Sequence, residues 1–376
     1  MTGCDAVALG AISSNVRFYS AYPMSPATPV MEYLASRQER LGLIVEQAED
    51  EICAINLALG ASFSGARAMT GTSGGGISLM AESISLSGMT ETQIVIFDGQ
   101  RPAPATGFPT RTEQGDLFLA VHAGHGDFPR AVLAPSNARE AFHLTRRAFY
   151  LAEKYQIPVF LLGDQYLNDS SWTFEKDEIN SIPQNDNSIL SAEELAKIPP
   201  FSYRRYELTD SGVSPRILPG TPRQVVYADS DEHTVEGHIT ESAEVRDSMV
   251  QKRKNKLSAL REEMSLPVIY PETGADIYLI SWGSTGGVVS EAAHALRENG
   301  IKAGQIHFTD VFPLRENIIP THIEKNSRLI SVENNTTGQF ADLLRMETGV
   351  YIKDRILKYD GRPFTPAEIV DKIEHL

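Results

Sequence analysis

Residues 67–98 read RAMTGTSGGGISLMAESISLSGMTETQIVIFD, and the order of elements in this stretch recurs along much of the chain. Arg67–Thr70 is predicted to be a strand, the glycines after it a tight turn, and Ile77–Gly88 a helix. Gln93–Asp98 follows as a strand with an uninterrupted apolar centre. Strands that are apolar on both sides and alternate with helices are typical of a parallel sheet covered on both faces. The stretch therefore predicts an α/β fold.

The same alternation divides the chain into three parts. Residues 1–170 are predicted to form a first α/β domain, and residues 266–376 a second, smaller one. Between them, Asn, Asp, Ser and Pro cluster, so residues 171–265 are predicted to be a partly irregular connecting segment. Its basic run Lys252-Arg253-Lys254 is predicted to lie on a solvated helix face. Further strands of the first domain are predicted at Arg17–Ala21, Leu43–Gln47, Ala131–Ala134 and Pro158–Leu162.

The composition argues against several classes of protein. The chain of 376 residues contains 34 Lys and Arg against 49 Asp and Glu, which gives a formal net charge of −15. Such an acidic chain is a poor partner for nucleic acid or an anionic membrane. We find no apolar run of about 18 residues and no basic segment before an apolar one at the N-terminus, so we expect neither a membrane span nor a signal peptide. The use of only two cysteines favours a reducing cytoplasm.

The glycine-rich residues 71–76 raise the question of phosphate binding. They follow a strand and precede a helix, but they lack the Gly-Lys-Ser/Thr ending of a P-loop and the glycine spacing of a dinucleotide site. Residues 283–287 pose the same question. A tight turn is the favoured prediction for both, and an anion site made of backbone N–H groups at a helix N-terminus is the alternative.

The acidic segment Glu49-Asp50-Glu51 opens a helix predicted over Glu49–Leu59. Acids at this position usually complement the helix dipole. Glu51 differs because it shares a helix face with Ile55 and Ala58, and that face is predicted to point into the core. A carboxyl at the end of such a face is partly desolvated, so it either finds a partner or serves as an acid.

A basic loop at residues 100–111 leaves the C-terminal end of the apolar strand Gln93–Asp98. Open α/β sheets place their ligands at this edge. Arg101 at this point suits a carboxylate through paired N–H donors. From the residues alone, a surface arginine is an equally good interpretation.

The cysteines and histidines of this sequence do not form a recognisable metal-binding pattern. Cys4 and Cys53 cannot form a disulfide framework, a Cys-x-x-Cys zinc site or a four-cysteine iron–sulfur site. His122 and His125 lie close in sequence, but a zinc site would need a third ligand that we cannot assign. We therefore predict no metal ligands in this chain and a structural or substrate-side role for these histidines.

Several short motifs occur in one order along nearly the whole chain. They are Tyr22-Pro23-Met24-Ser25-Pro26, Glu49-Asp50-Glu51-Ile52, Thr72-Ser73-Gly74-Gly75-Gly76, Gln100-Arg101, Thr112-Glu113-Gln114-Gly115-Asp116, His125-Gly126-Asp127 and the segments 231–238 and 333–339. Each motif is modest alone, whereas their shared order is specific. In these motifs the chain resembles the α subunit of the 2-oxoacid:ferredoxin oxidoreductases, most closely the 2-oxoglutarate type.

This resemblance implies a fold, a cofactor and roles for particular residues. The fold would be a domain for the pyrimidine end of thiamine diphosphate, followed by a transketolase C-terminal-like domain. Glu51 would bond N1′ of the aminopyrimidine ring, Ser25 would hydrogen-bond the 2-oxoacid, and Arg101 would pair with the carboxylate of the 2-oxoacid. The remaining residues implied to contact the cofactor are Pro23, Ser73 and Gly74.

The resemblance also implies that half of the active site lies on another chain. Thiamine enzymes hold the diphosphate and a divalent metal with a Gly-Asp-Gly motif and a following Asn. Here Gly163-Asp164-Gln165 lacks the second glycine, and Asn334-Asn335 lie far along the chain. We therefore expect the diphosphate site, Mg²⁺ and a [4Fe–4S] cluster on a β subunit. The resemblance implies three further partners, which are ferredoxin, coenzyme A and a 2-oxoacid. It leaves undecided whether separate γ and δ subunits belong to the complex.

Three alternatives remain at this point. Ser25 stands where the family usually has Thr, and Gly75 where it often has Pro, so pyruvate or a branched-chain 2-oxoacid could replace 2-oxoglutarate. A transketolase-like enzyme without electron transfer is more distant, because it requires a Gly-Asp-Gly motif in this chain. A non-catalytic assembly subunit would keep the fold and bind no cofactor, in which case Glu51 would be dispensable.

Overall fold

A computed structural model describes residues 1–175, 179, 189–270 and 274–376. The rest of the predicted connecting segment, residues 176–178 and 180–188, lies outside the described residues. The helices are α1 Gly3–Ser13, α2 Thr28–Ala35, α3 Gln38–Leu41, α4 Glu51–Phe63, α5 Gly74–Thr90, α6 Leu117–His122, α7 Ala138–Tyr155, α8 Gln165–Asp169, α9 Ala192–Leu195, α10 Ala243–Glu263, α11 Thr285–Glu298, α12 Thr321–Asn326, α13 Gln339–Thr348 and α14 Pro366–Glu374. The strands are β1 Phe18–Ala21, β2 Ile44–Gln47, β3 Ala68–Thr72, β4 Ile94–Gln100, β5 Ala131–Leu133, β6 Pro158–Asp164, β7 Val268–Tyr270, β8 Ile277–Trp282, β9 Ala303–Phe308, β10 Asp310–Phe312, β11 Arg328–Glu333 and β12 Asp354–Leu357.

The larger sheet has the strand order β10-β5-β6-β4-β3-β1-β2. All of its pairings are parallel except the one between β10 and β5. Helices α4 and α5 contribute to one apolar cluster against the sheet and α2 and α7 to another, so the two pairs cover opposite faces. The central strands β3, β4 and β6 are buried along their whole length, as a sheet covered on both faces requires. The predicted parallel sheet is therefore confirmed.

The smaller sheet, in the order β12-β11-β8-β9-β7, comes from the C-terminal part of the chain. Helices α11 and α14 contact each other, and α11 also packs on β8 and β9. A single apolar cluster contains Ile96 and Phe160 of the larger sheet together with Trp282 and Phe308 of the smaller one. The two sheets therefore share a hydrophobic core instead of meeting across a polar surface.

Local capping explains where several helices begin. Asp50 adopts an extended conformation before α4, and its carboxylate accepts a hydrogen bond from Cys53 N at 2.7 Å. Asn137 caps α7 in the same way through Glu140 N. Thr365 forms a capping box with Glu368 at α14. Among the helices described, none is both long enough and apolar enough to cross a bilayer.

Two predictions from the sequence need correction. Lys252 and Arg253 are 2% and 4% exposed, so they do not lie on a solvated face, whereas Lys254 does. Their charges are balanced by acids from other elements, with Lys252 on Glu91 and Arg253 on Glu232. The glycine turn is also shorter than predicted, because α5 already begins at Gly74.

Candidate active site

The residues singled out from the sequence collect at the carboxyl edge of four neighbouring strands. Pro23 and Ser25 follow β1, Glu51 follows β2, Ser73 follows β3 and Arg101 follows β4. The order β4-β3-β1-β2 makes these strands consecutive, and their parallel pairing brings their carboxyl ends to one side. This is the edge at which open α/β sheets bind ligands.

Glu51 is the first residue of α4 and is only 3% exposed. Ile55 and Ala58 on the same helix face are fully buried, so the predicted core-facing orientation is confirmed. Its Oε1 atom finds no hydrogen-bond partner among the residues that the structure describes. A buried carboxyl oxygen without a partner is costly, so it points to a group that binds there.

The start of α5 lies directly against Glu51. A Cβ atom on Gly76 would overlap Thr72 Oγ1 and would lie 2.9 Å from Glu51 Oε1. Ser73 takes the N-cap position without using its side chain as a cap, and its Oγ, like Thr72 Oγ1, is buried without a partner in the described part of the chain. The Thr72 hydroxyl and the Glu51 carboxyl therefore both lie against Gly76 near a helix N-terminus, where only glycine allows this close approach.

Arg101 and Ser25 are brought together by a direct contact. Arg101 Nη1 donates to the backbone oxygen of Ser25 at 2.8 Å. Arg101 is half-buried, Pro23 is half-buried and Ser25 is exposed. Because a guanidinium carries five N–H donors, this bond leaves donors that can meet a carboxylate.

Two buried carboxyls, Asp98 and Asp116, had no role assigned from the sequence. Asp98, in β4, is fully buried, and both of its side-chain oxygens lack partners among the described residues. Burial, and then the charge of Asp116, raise the pKa of Asp98 well above its usual range. Burial also raises the pKa of Asp116 to about 6, against the opposing charge of Arg101. The sequence signal for Asp116 was its place in the Thr112–Asp116 motif, and Asp98 gave none beyond its position at a strand end.

The partial diphosphate motif is engaged in contacts within the chain. Asp164 Oδ1 accepts from Leu167 N at 2.9 Å at the start of α8, and its other oxygen accepts from Ser284 Oγ. Asn334 and Asn335 bond to Gln114. Across the described ranges, no three or more His, Cys, Asp and Glu side chains are grouped to hold a metal ion.

The two histidines have different surroundings. His125 is exposed, its backbone N donates to Ser85 Oγ at 2.7 Å, and its Nδ1 lies 3.1 Å from the same hydroxyl. His122 ends α6 and lies 5.9 Å from Phe118 between ring centroids. Their structural or substrate-side role stays a prediction.

Comparisons with known proteins agree with this architecture. Residues 9–252 match the family described as pyruvate flavodoxin/ferredoxin oxidoreductase, thiamine diP-binding, and residues 268–355 match the transketolase C-terminal domain. A 2-oxoglutarate:ferredoxin oxidoreductase from Magnetococcus marinus, solved with 2-oxoglutarate, coenzyme A and succinyl-CoA bound, superposes with a TM-score of 0.89 at 35% identity over 100% of this chain and 64% of that chain. A split-gene transketolase shares the fold alone, at a TM-score of 0.54 and 12% identity over 99% of this chain and 96% of that chain. The predicted fold class, a thiamine-type sheet domain with a smaller transketolase C-terminal-like domain, is confirmed.

Relatives by sequence carry consistent names. The chain is 36% identical to 2-oxoacid:ferredoxin oxidoreductase 1, subunit alpha, of Sulfurisphaera tokodaii, over 99% of this chain and 60% of that protein. It is 32% identical to 2-oxoglutarate synthase subunit KorA of Methanothermobacter thermautotrophicus, over 99% of this chain and 96% of that protein. The chain thus spans about three-fifths of the first relative and nearly all of the second. It belongs to the α-subunit family of the 2-oxoacid:ferredoxin oxidoreductases.

Proposed function

We propose that this chain is the α subunit of a thiamine-diphosphate-dependent 2-oxoacid:ferredoxin oxidoreductase that acts on 2-oxoglutarate. The reaction is oxidative decarboxylation of 2-oxoglutarate to succinyl-CoA, with the electrons passed to ferredoxin, or the reverse reaction. The observation that carries the proposal is the buried Glu51 carboxyl, whose Oε1 has no partner in the described residues. The proposed domain limits are 1–170 and 266–376, joined by the segment 171–265, and the proposed location is the cytoplasm.

The residues around Glu51 fit the pyrimidine end of thiamine diphosphate. A Glu51 carboxyl oxygen without a partner among the described residues lies beside Gly76, which admits no Cβ. Glu51 would hold a proton toward a ring nitrogen, and Pro23, Ser73 and Gly74 would line the cofactor site. When bound, thiamine diphosphate supplies the carbon nucleophile and the electron sink that decarboxylation of a 2-oxoacid requires.

The substrate would bind at the other end of the same sheet edge. Arg101 would pair with the 2-oxoacid carboxylate while it holds the backbone of Ser25, and the Ser25 hydroxyl would hydrogen-bond the substrate. Asp164, Asn334 and Asn335 are engaged within this chain, which supports the assignment of the diphosphate, Mg²⁺ and the [4Fe–4S] cluster to a β subunit. Ferredoxin and coenzyme A would be further partners, and separate γ and δ subunits would be optional members of the complex.

The test is reconstitution of the complex with its β subunit. We expect 2-oxoglutarate- and coenzyme-A-dependent reduction of ferredoxin, with slower turnover of pyruvate and branched-chain 2-oxoacids. Glu51→Gln should reduce kcat at least about a hundredfold, the low end of acid–base contributions. The matched control is Glu49→Gln, which removes an exposed acid from the same segment and should leave kcat unchanged. Full activity of the Glu51→Gln complex would favour the assembly-subunit alternative.

A further inference from the structure

The loop that carries Arg101 leaves the larger sheet and returns to it at Asp116. Asp116 N donates to the side-chain oxygen of Gln100 at 3.1 Å, which closes the base of the loop. Within it, Phe108 N donates to Pro102 O and Arg111 N to Phe108 O, each at 3.1 Å. Residues 103–111 are exposed, so the core does not fix their position. Residues 112–116, here called the return segment, are buried or half-buried, so they anchor the second end of the loop.

Gln114, at the centre of the return segment, is 1% exposed and is held by four hydrogen bonds. Its Nε2 donates to Trp282 O at 2.8 Å, and its Oε1 accepts from Asn334 N at 3.0 Å. Its backbone N donates to Asn334 O at 2.7 Å, and its backbone O accepts from Asn335 Nδ2 at 3.1 Å. All of these partners stand at the carboxyl ends of β8 and β11 in the smaller sheet. One residue thus joins the loop to the C-terminal part of the chain.

Neighbouring residues of the return segment repeat this attachment. Thr112 N donates to Gly361 O at 3.2 Å. Gln339 Nε2 donates to Gly115 O at 2.7 Å, while Gln339 Oε1 accepts from Phe118 N at 3.0 Å. The C-terminal part of the chain therefore holds the return segment at three points, Thr112, Gln114 and Gly115.

On its other side, the return segment touches the site. A Cβ on Gly74 would overlap the carboxyl of Asp116, so this carboxyl lies against the first residue of α5. Asp116 also lies within electrostatic range of Arg101, whose charge acts on its pKa. The segment thus lies between the smaller sheet on one side and the start of α5 and Arg101 on the other.

We propose that Gln114 is a positioning residue, which fixes the return segment on the C-terminal domain and thereby sets the place of Arg101 for the 2-oxoacid carboxylate. This inference rests on the proposed function only for the identity of the ligand of Arg101. The motifs at residues 112–116 and 333–339 then form the two sides of a single attachment.

The experiment compares Gln114→Ala with wild type in the complex with the β subunit. Hydrogen exchange at the amides of Phe108 and Arg111 should quicken at least about tenfold, since loop opening becomes easier. The KM for the 2-oxoacid should rise about tenfold, with a smaller change in kcat and none in the KM for ferredoxin. In an Arg101→Ala background, Gln114→Ala should change KM by less than about twofold, because the two residues act as one unit.

Two further variants keep the test decisive. Gln339→Ala removes a separate bond to the return segment and should quicken exchange in the same loop, even if Gln114→Ala fails to fold. Arg261→Ala breaks a different contact with the C-terminal part, the 2.9 Å pair with Glu347, and should change neither exchange in the loop nor KM. Unchanged loop exchange in both glutamine variants would overturn the inference whatever the substrate. A wild-type complex that turns over no 2-oxoacid would instead overturn the proposed function.

Discussion

Glu91 supplies the carboxylate for two lysines that are buried with it, so Glu91→Gln probes how helix α10 is held against the end of helix α5. Lys252 Nζ lies 2.6 Å from Glu91 Oε1, and Lys256 pairs with Oε2. All three side chains are 1% exposed. Burial lowers the pKa of Lys252 to about 7, although the charge of Glu91 acts in the opposite direction. Burial lowers the pKa of Lys256 as well.

Removal of one partner from a buried ion pair costs about 3–5 kcal/mol, because the remaining charge is left uncompensated. Lys252 keeps its proton in the folded wild type only below about pH 7, so we expect the free energy of unfolding to fall by about 5 kcal/mol at about pH 5.5. The loss should shrink as the pH rises above about 7, because Lys252 is then neutral in the folded wild type as well and no longer forms an ion pair with Glu91. A lysine whose folded pKa is lowered makes stability rise with pH in both proteins, so the difference between them is the quantity to compare.

Urea unfolding of the chain at about pH 5.5 and about pH 9.5, followed by circular dichroism, measures the loss and its pH dependence. Glu232→Gln is the matched control, because Glu232 pairs with Arg253 at 2.8 Å and with Arg246 at 2.5 Å. Arginines keep their charge over this range, so the loss of about 1.5–3 kcal/mol expected in the control should not change with pH. A loss below about 1 kcal/mol for Glu91→Gln, or a pH dependence equal to that of the control, would refute the reasoning.

Two more predictions concern the site itself. Gly76→Ala should lower stability by about 1–3 kcal/mol through overlap with Thr72 and should weaken thiamine diphosphate binding beside Glu51. Gly75→Ala, whose Cβ would meet nothing within 4 Å, should do neither. Urea unfolding measures the stability of both variants, and calorimetric titration of their complexes with the β subunit measures cofactor binding. Asp116→Asn should stabilise the chain by up to about 3 kcal/mol at pH 7 and by almost nothing near pH 4, because an acid whose folded pKa is raised to about 6 costs stability only above its unfolded value. A gain that stays equal at both pH values would contradict this assignment.

Features that are set by residues close together in the sequence could be predicted from it. The alternation of apolar strands and helices predicted the parallel sheet, and the spacing from Glu51 to Ile55 and Ala58 predicted a buried acid at the start of α4. Both follow from the helix and strand periods alone.

Features that depend on distant pairing were missed. Lys252 was assigned to solvent because its run of charge says nothing about Glu91, which lies 161 positions earlier. The contacts of Gln114 cross 168 and 220 positions, so its motif could be noticed but its role could not be derived. The strand β10 has three residues, too few for an alternating pattern to be recognised.

That short strand limits how the chain can be dissected. Asp310 and Phe312 pair with β5, so a C-terminal part of the polypeptide supplies an edge strand of the larger sheet, whose other strands come from the N-terminal part. A fragment that stopped before residue 310 would leave β5 with open backbone donors and acceptors, ready to capture a strand from another molecule. A chimera made from two related proteins must therefore take β10 and the larger sheet from the same parent protein.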